Sequence, residues 1–391
     1  HLVVSDVKRP AFMQSPVSEE EDSLDDAGYK TVSYHRKNSE RSLDSFEPLL
    51  TSKNHSVKQQ RVTSPEEDHW VYALCNTQTM SSYVNYYHRI VRTRNTVSSR
   101  PLVGLSPELA WGKRFWRDLQ LLLSERENLD DYDEHGYALL WLIPWSGEKS
   151  DSLPLYECDP YFIEVSRRIR LVESDDGDIT YRKGTNPGMR IEEPYSDFRG
   201  NTGDPWTPIG NGEALQVKRK GFHYRLLNGI LLGTDYERPP ALKFHEGEEG
   251  LMYVVAEALG RTRGKTRGLH RRIVPIPPRV SNKLGRGTLR EELAERSRKR
   301  IDLAHTVSRK VLYAALTTLL LAGSDQTSDE EDQNQKELTK SRKEVRSEYL
   351  DAFKSSIDTS FFELLWESAK EEVSDKEAQR QWQTLLWKKA E

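Results

Sequence analysis

The chain has little cysteine, no long apolar run and almost no net charge, and each shortage excludes something. Its 391 residues include two cysteines, Cys75 and Cys158, far apart and without a CxxC pair, so neither a disulfide framework nor a structural zinc site can be built. The longest apolar stretch, 311–322, is broken by threonines and falls short of the roughly 20 residues needed to cross a bilayer. Residues 1–12 lack the apolar core of a secretion signal. A cytoplasmic protein without a membrane partner is the expectation. Because the chain opens at His1 within a segment that reads as ordered, further sequence is expected before it.

Charge of one sign is also lacking. The 58 Lys and Arg nearly balance 62 Asp and Glu, for a net of -4, which excludes a uniform polycation but leaves room for a local patch. Hydrophobic residues make up 36% and charged ones 31%, against roughly 45–50% (glycine included) and about 25% in ordinary domains; the surface is large and wetted. The 9 Trp and 17 Tyr still require packed domains, since disordered chains are poor in aromatics.

Catalytic patterns are scarce. His35, His55, His69 and His88 show no HExxH spacing, no G-x-S-x-G elbow occurs, and no cofactor motif is present. Gly264-Lys265-Thr266 ends like a phosphate-binding loop, but the glycine that motif needs falls on Leu259; a helix-like segment is expected before it and prolines follow. Asp118, Asp130 and His55 are the candidates a metal-dependent nuclease would use, and a purely structural scaffold is a third possibility.

Along the chain, residues 17–66 read as a polar, first acidic insertion. Helices are expected from Trp70, through Thr77 and Gln78, and over 108–124, where Leu109, Phe115, Trp116 and Leu119 recur at helical spacing. The run 137–145 reads as a buried strand. Residues 161–172, 179–182 and 189–191 read as further strands, with Asp175-Asp176-Gly177-Asp178 as a hairpin turn. From 288 to 323 one long helix is expected, capped by Thr288 and Glu291, with Leu289, Leu293, Ala304, Val307, Val311, Ala315 and Leu319 on one stripe and Gly323 as its stop. A second helical region spans 334–373, and a last helix starts at Ser374 with Glu377. The fold class is α+β: a mixed domain over 1–286 and an antiparallel four-helix bundle over 287–391.

Residues 261–290 carry ten cations (Arg261, Arg263, Lys265, Arg267, Arg271, Arg272, Arg279, Lys283, Arg286 and Arg290) and no acid. Such a run supplies salt-dependent affinity for phosphate. Gly260, Gly264 and Gly268 let the backbone turn sharply, while Pro275, Pro277 and Pro278 are expected to bar a helix afterwards. The segment reads as a basic, glycine-hinged hairpin or loop that binds nucleic acid.

Several ordered strings resemble the large subunit of the type I-E CRISPR surveillance complex, the CasA family of Cascade. They are Arg9-Pro10-Ala11-Phe12-Met13-Gln14, Thr51 to Lys58, Asn76-Thr77-Gln78-Thr79, Ser99-Arg100-Pro101, Arg117-Asp118-Leu119, Ile163 to Leu171, Gly203-Asp204-Pro205-Trp206-Thr207-Pro208, and Gly264-Lys265-Thr266 followed by His270-Arg271-Arg272. The resemblance implies a non-catalytic subunit that recognises a protospacer-adjacent motif on double-stranded target DNA and helps open the duplex. Guide RNA supplies the remaining specificity, and other Cascade subunits and a recruited helicase-nuclease are the partners. It puts the hairpin tip on Arg263-Gly264-Lys265-Thr266 between Arg261 and Arg267, with Lys265 at the wedge position, and a second contact on Lys149. Family members carry a glycine-rich loop before Ser-Arg-Pro. Here 80–99 contains Asn85 and no glycine, so either Arg89, Arg92 and Arg94 substitute with side-chain contacts or the motif preference is relaxed. The family's residues preceding its Arg-Pro string are missing here, and the first domain is expected to lack its N-terminal part.

Overall fold

A computed structural model describes residues 2–31, 65–80, 90–94, 98–126, 129, 133, 135–191, 199–245, 248, 250–262, 265–285, 289–322, 340–370 and 372–391, with the backbone alone at 31, 261–262, 265–267 and 285. Thr51 to Lys58, the acidic 329–332 segment, Thr288 and Gly323 lie outside these. The chain divides into two compact units, residues 1–222 with 235–243 and 253–273, and residues 223–234, 244–252 and 274–391.

The first unit holds β1 (Tyr29–Thr31), α1 (Glu67–Cys75), β2 (Leu102–Ser106), α2 (Trp111–Arg126), β3 (Tyr137–Leu139), β4 (Cys158–Ile163), β5 (Ile169–Glu173), β6 (Ile179–Gly184), β7 (Ile209–Gly210) and β8 (Glu213–Ala214). It also takes most of β9 (Met252–Thr262) and β10 (Lys265–Ile276). Two three-stranded sheets, β1-β6-β5 and β10-β9-β2, are joined by the pairs β3-β4 and β7-β8. The Asp175 to Asp178 turn closes the β5–β6 hairpin as expected, with Glu173 opposite Ile179 and Gly177 at φ 82°, the left-handed region that glycine enters without strain.

Trp70 and Leu74 on α1 pack into a core with Phe162, Ile169, Leu171 and Tyr181. Immediately after α1 the backbone widens into a π turn at Asn76–Met80. That widening delivers Thr77 and Gln78 to the interior.

Several expectations change. Residues 137–145 begin with a short exposed strand followed by a 3-10 turn at Leu140–Leu142. Ile191 makes an isolated bridge to Leu153. The helix expected at 108–124 exists, but it points the other way: Phe115, Trp116 and Leu123 are exposed while Arg117 and Leu121 are buried. The reason is that Arg117 donates to the Ala241 and Lys243 carbonyls at 3.0 and 2.6 Å, and those acceptors are not legible from α2's own periodicity.

In the second unit α3 (Tyr224–Leu231) and α4 (Pro278–Gly285) join the helices α5 (Arg290–Thr306), α6 (Tyr313–Ala322), α7 (Lys340–Asp358), α8 (Phe361–Glu367) and α9 (Asp375–Ala390). Pro278 does not bar a helix but opens one, because at the first helical position its missing N–H has no partner to lose. Arg346 on α7 stacks over the Tyr313 ring and donates to the Thr317 hydroxyl at 2.7 Å, tying α7 to α6. Phe361, Phe362, Trp366 and Trp382 form the centre, and the Trp382 indole donates to the Arg300 carbonyl at 3.0 Å. Ser374 caps α9 by accepting from the Glu377 N–H, as the sequence indicated.

The long 290–322 helix is interrupted by a π turn at Val307–Leu312. Leu289, Leu293 and Ala304 are buried as the stripe requires, yet Val311 and Leu319 are 57% and 68% exposed. From the last residue of the π turn onward, with Thr317 and Leu321 beside them, the half-buried leucines are Leu312, Leu316 and Leu320. Each is one residue later than the stripe expected at 311, 315 and 319. A π turn holds one more residue than an α turn, and the stripe slips by that residue.

Candidate nucleic-acid interface

The first part of the basic segment, up to Ile276, belongs to a β-hairpin, and the rest includes α4. Residues 252–262 form a strand and not the helix-like segment the sequence suggested. Val254, Val255, Ala256, Ala258 and Leu259 make β9 apolar on both faces, and all are buried. That suits a central strand with β2 on one side and β10 on the other. Two residues, Arg263 and Gly264, connect β9 to β10, the spacing of a tight hairpin, and both lie outside the described residues. Arg261, Lys265, Thr266 and Arg267 flank them at the ends of the two strands. Gly268 adopts φ 113° within β10, a conformation glycine takes without strain, and a Cβ there would meet nothing within 4 Å. The segment does not have the phosphate-loop arrangement: a strand, β10, begins at Lys265 where that motif needs a helix.

Two distant strings brace the hairpin. The Ser99 hydroxyl donates to the Leu259 carbonyl. Arg100 makes a two-pronged pair with Asp204, its second prong at 2.9 Å, and its guanidinium lies 5.7 Å from the centre of the Trp206 ring. Asp204 also accepts from the Thr207 hydroxyl at 2.9 Å and the Trp206 N–H at 3.2 Å. Trp206 returns its carbonyl to Val103 N–H on β2 at 2.9 Å. Burial acts to raise the Asp204 carboxyl, but the Arg100 and Arg92 charges and these donors outweigh it and hold it at about 2.

Arg92 is corrected by the structure. It is 4% exposed, donates to the Pro160 carbonyl at 3.3 Å and stacks 4.3 Å over Phe162; it serves the interior, where no duplex reaches. Beside it, Glu164 accepts twice from the Val91 N–H, at 2.8 and 3.0 Å. Burial raises the Glu164 carboxyl to about 7 against the pull of those donors and Arg92. Arg94 pairs with Glu213 at the surface. Asn85 and Arg89 lie outside the described residues. Lys149 is exposed, on a 3-10 turn (Lys149–Asp151). Buried Arg190 fixes that turn by donating to the Asp151, Pro144, Leu140 and Ile143 carbonyls.

The run of ten cations is partly neutralised once folded. Arg271 pairs with Glu257 at 3.0 Å, Arg272 donates to the Phe222 carbonyl at 2.9 Å, and Arg279 pairs with Glu367 at 3.2 Å. Glu257 lies four residues ahead of the acid-free window; reading 252–262 as a strand would have found it. Of the nuclease candidates, Asp118 is held by Arg114 at 3.6 Å and by the Trp206 indole at 3.3 Å, and burial raises its carboxyl. Asp130 and His55 lie outside the described residues. Among the described residues, no three His, Cys, Asp or Glu side chains are grouped to hold a metal ion, and no helix is long and apolar enough to cross a membrane.

No protein-family model matches the chain and no curated protein matches its sequence. Solved structures do. CasA (Cse1) of Thermus thermophilus superposes with a TM-score of 0.55 at 14% identity, over 98% of this chain and 71% of that one. A second structure of CasA from Thermus thermophilus gives 0.56 at 13%, over 98% and 72%. A CRISPR-associated protein from the same species gives 0.57 at 14%, over 98% and 71%. The chain therefore has an α+β fold with a helical C-terminal unit, and that fold is the CasA fold, as the ordered strings suggested.

Proposed function

We propose that this chain is the large, DNA-recognising subunit of an RNA-guided antiviral complex. The observation that carries the proposal is the β9–β10 hairpin. Its two strands end on Arg261 and on Lys265 to Arg267, and the Ser99 hydroxyl and the Arg100–Asp204 pair anchor the sheet that carries them. Stacked on the CasA fold, such a hairpin suits a duplex fork. Lys265 and its neighbours Arg261, Arg263, Gly264, Thr266 and Arg267 contact phosphate and groove edges beside a protospacer-adjacent motif, and Lys149 and Arg94 add contacts from the surface. In the minor groove the guanine amino group distinguishes G·C from A·T, but A·T and T·A look alike, so a short, degenerate motif is read. Guide RNA pairing supplies the rest. The subunit performs no chemistry of its own; other subunits hold the RNA, and a helicase-nuclease docks afterwards.

The test is a gel shift on the assembled complex with Arg263→Ala combined with Lys265→Ala. Loss of duplex binding and strand opening, with the melting temperature unchanged, is the expected result. Unaltered binding of matched duplex would refute the proposal.

A further inference from the structure

Arg271 and Arg272 are engaged with Glu257 and the Phe222 carbonyl, which leaves the hairpin stem poorer in available charge than its sequence implies. Cations that could replace them are found elsewhere in the chain. Lys218, Arg219 and Lys220 follow one another in a turn closed by the Gly221 N–H donating to the Lys218 carbonyl at 2.9 Å, and all three are exposed. Lys218 and Arg219 have no ion-pair partner among the described residues.

This turn is fastened to β10. Gly221 sits at φ 61°, and a Cβ on it would lie 2.7 Å from Nδ1 of His270, so the chain approaches the strand as closely as a glycine allows. One residue later, the Phe222 carbonyl takes the Arg272 guanidinium at 2.9 Å. His270 and Arg272 are alternate residues of one strand and share a face, so both contacts hold the same turn against the same side of the stem. Fixing costs no further ordering when a ligand arrives, which is the advantage a pre-organised contact has over a solvated tail.

We infer that Lys218 and Arg219 form a second phosphate-binding element, continuing the hairpin's contact along the backbone of the same duplex. The inference rests on the DNA-recognition reading above and extends it to residues outside the 261–290 run. The contacts are to phosphate alone, so they add affinity without sequence information.

The experiment is a salt titration of duplex binding by the assembled complex, comparing wild type with Lys218→Ala combined with Arg219→Ala. Each lost phosphate contact lowers the slope of log affinity against log salt by about 0.9, so the double variant is expected to be shallower by about 1.8. The loss should be equal on matched and unrelated duplex. Wild type that binds duplex with a slope shared by the double variant would overturn the inference while leaving the hairpin reading intact. Wild type with no salt-dependent duplex binding would overturn both. Weakened complex assembly with unchanged duplex binding would also overturn it, by showing that the turn faces an acidic protein surface.

Discussion

The side-chain amide of Gln78 brackets a single residue, Arg167: its oxygen accepts the Arg167 N–H at 2.9 Å and its nitrogen donates to the Arg167 carbonyl at 2.9 Å. One side chain thus plays the part of a neighbouring strand. The same amide takes the Ser166 N–H at 3.0 Å and reaches the Met13 carbonyl at 3.1 Å. Three strings that are distant in sequence (9–14, 76–79 and 163–171) meet on it.

Replacing Gln78 by Leu leaves two N–H groups and two carbonyls without partners in the interior. At about 1–3 kcal/mol for a buried group left unmade, partly offset by relaxation, a loss of about 3 kcal/mol is expected in urea unfolding. A loss below about 0.5 kcal/mol, the range of ordinary surface changes, would show that the amide is dispensable.

Asp204 governs acid stability. Its folded carboxyl lies at about 2, below the ordinary carboxylate value of about 3.9. The stabilisation is present above the unfolded value and disappears as pH falls through about 4 towards 2, an effect of roughly 2 kcal/mol. Asp204→Asn should therefore lower stability at neutral pH and flatten the acid limb of the unfolding curve. An acid limb identical to wild type would contradict the assignment.

Glu164 acts in the opposite sense. With the folded value raised to about 7, the native state holds a proton that the unfolded chain releases near 4.5. Its contribution is full below the unfolded value and is lost as pH rises through 7, roughly 3 kcal/mol in all. Glu164→Gln keeps an acceptor for Val91 and removes the charge, so denaturant midpoints should become less pH-dependent between about pH 5 and 8. A slope equal to that of wild type would count against it.

The slipped stripe on α6 is open to a paired comparison. Leu316→Ala removes a half-buried side chain and should cost about 1–2 kcal/mol, while Leu319→Ala, at 68% exposure, should stay within about 0.5 kcal/mol. The reverse order would mean that the helix keeps an uninterrupted α register through 307–312.

Much of the fold was legible because it rests on local chemistry. The Asp175 to Asp178 turn, the Ser374 cap, the helices over 70–75 and 111–126, and the basic hairpin all follow from residues that are near neighbours. The ordered strings were legible as strings, but not the reason for them. Arg100 and Asp204 are 104 positions apart, and Gln78 and Arg167 are 89 apart; only folding brings those partners to hydrogen-bonding distance. Arg92 was misread because it recurs in sequence with Arg89 and Arg94, while its neighbours in space are Phe162 and the Pro160 carbonyl.

Charge divides the same way. By itself the sequence determined that the net charge is small, that the cations gather in 261–290 without an acid among them, and that this segment turns back on itself. Tertiary structure decided which of those charges remain available. Pairing across strands placed Glu257 beside Arg271, packing placed the Phe222 carbonyl beside Arg272, and the glycine at 221 brought Lys218 and Arg219 alongside the stem. Coulomb energy depends on distance in space and on exclusion of water, and neither is a property of position along the chain.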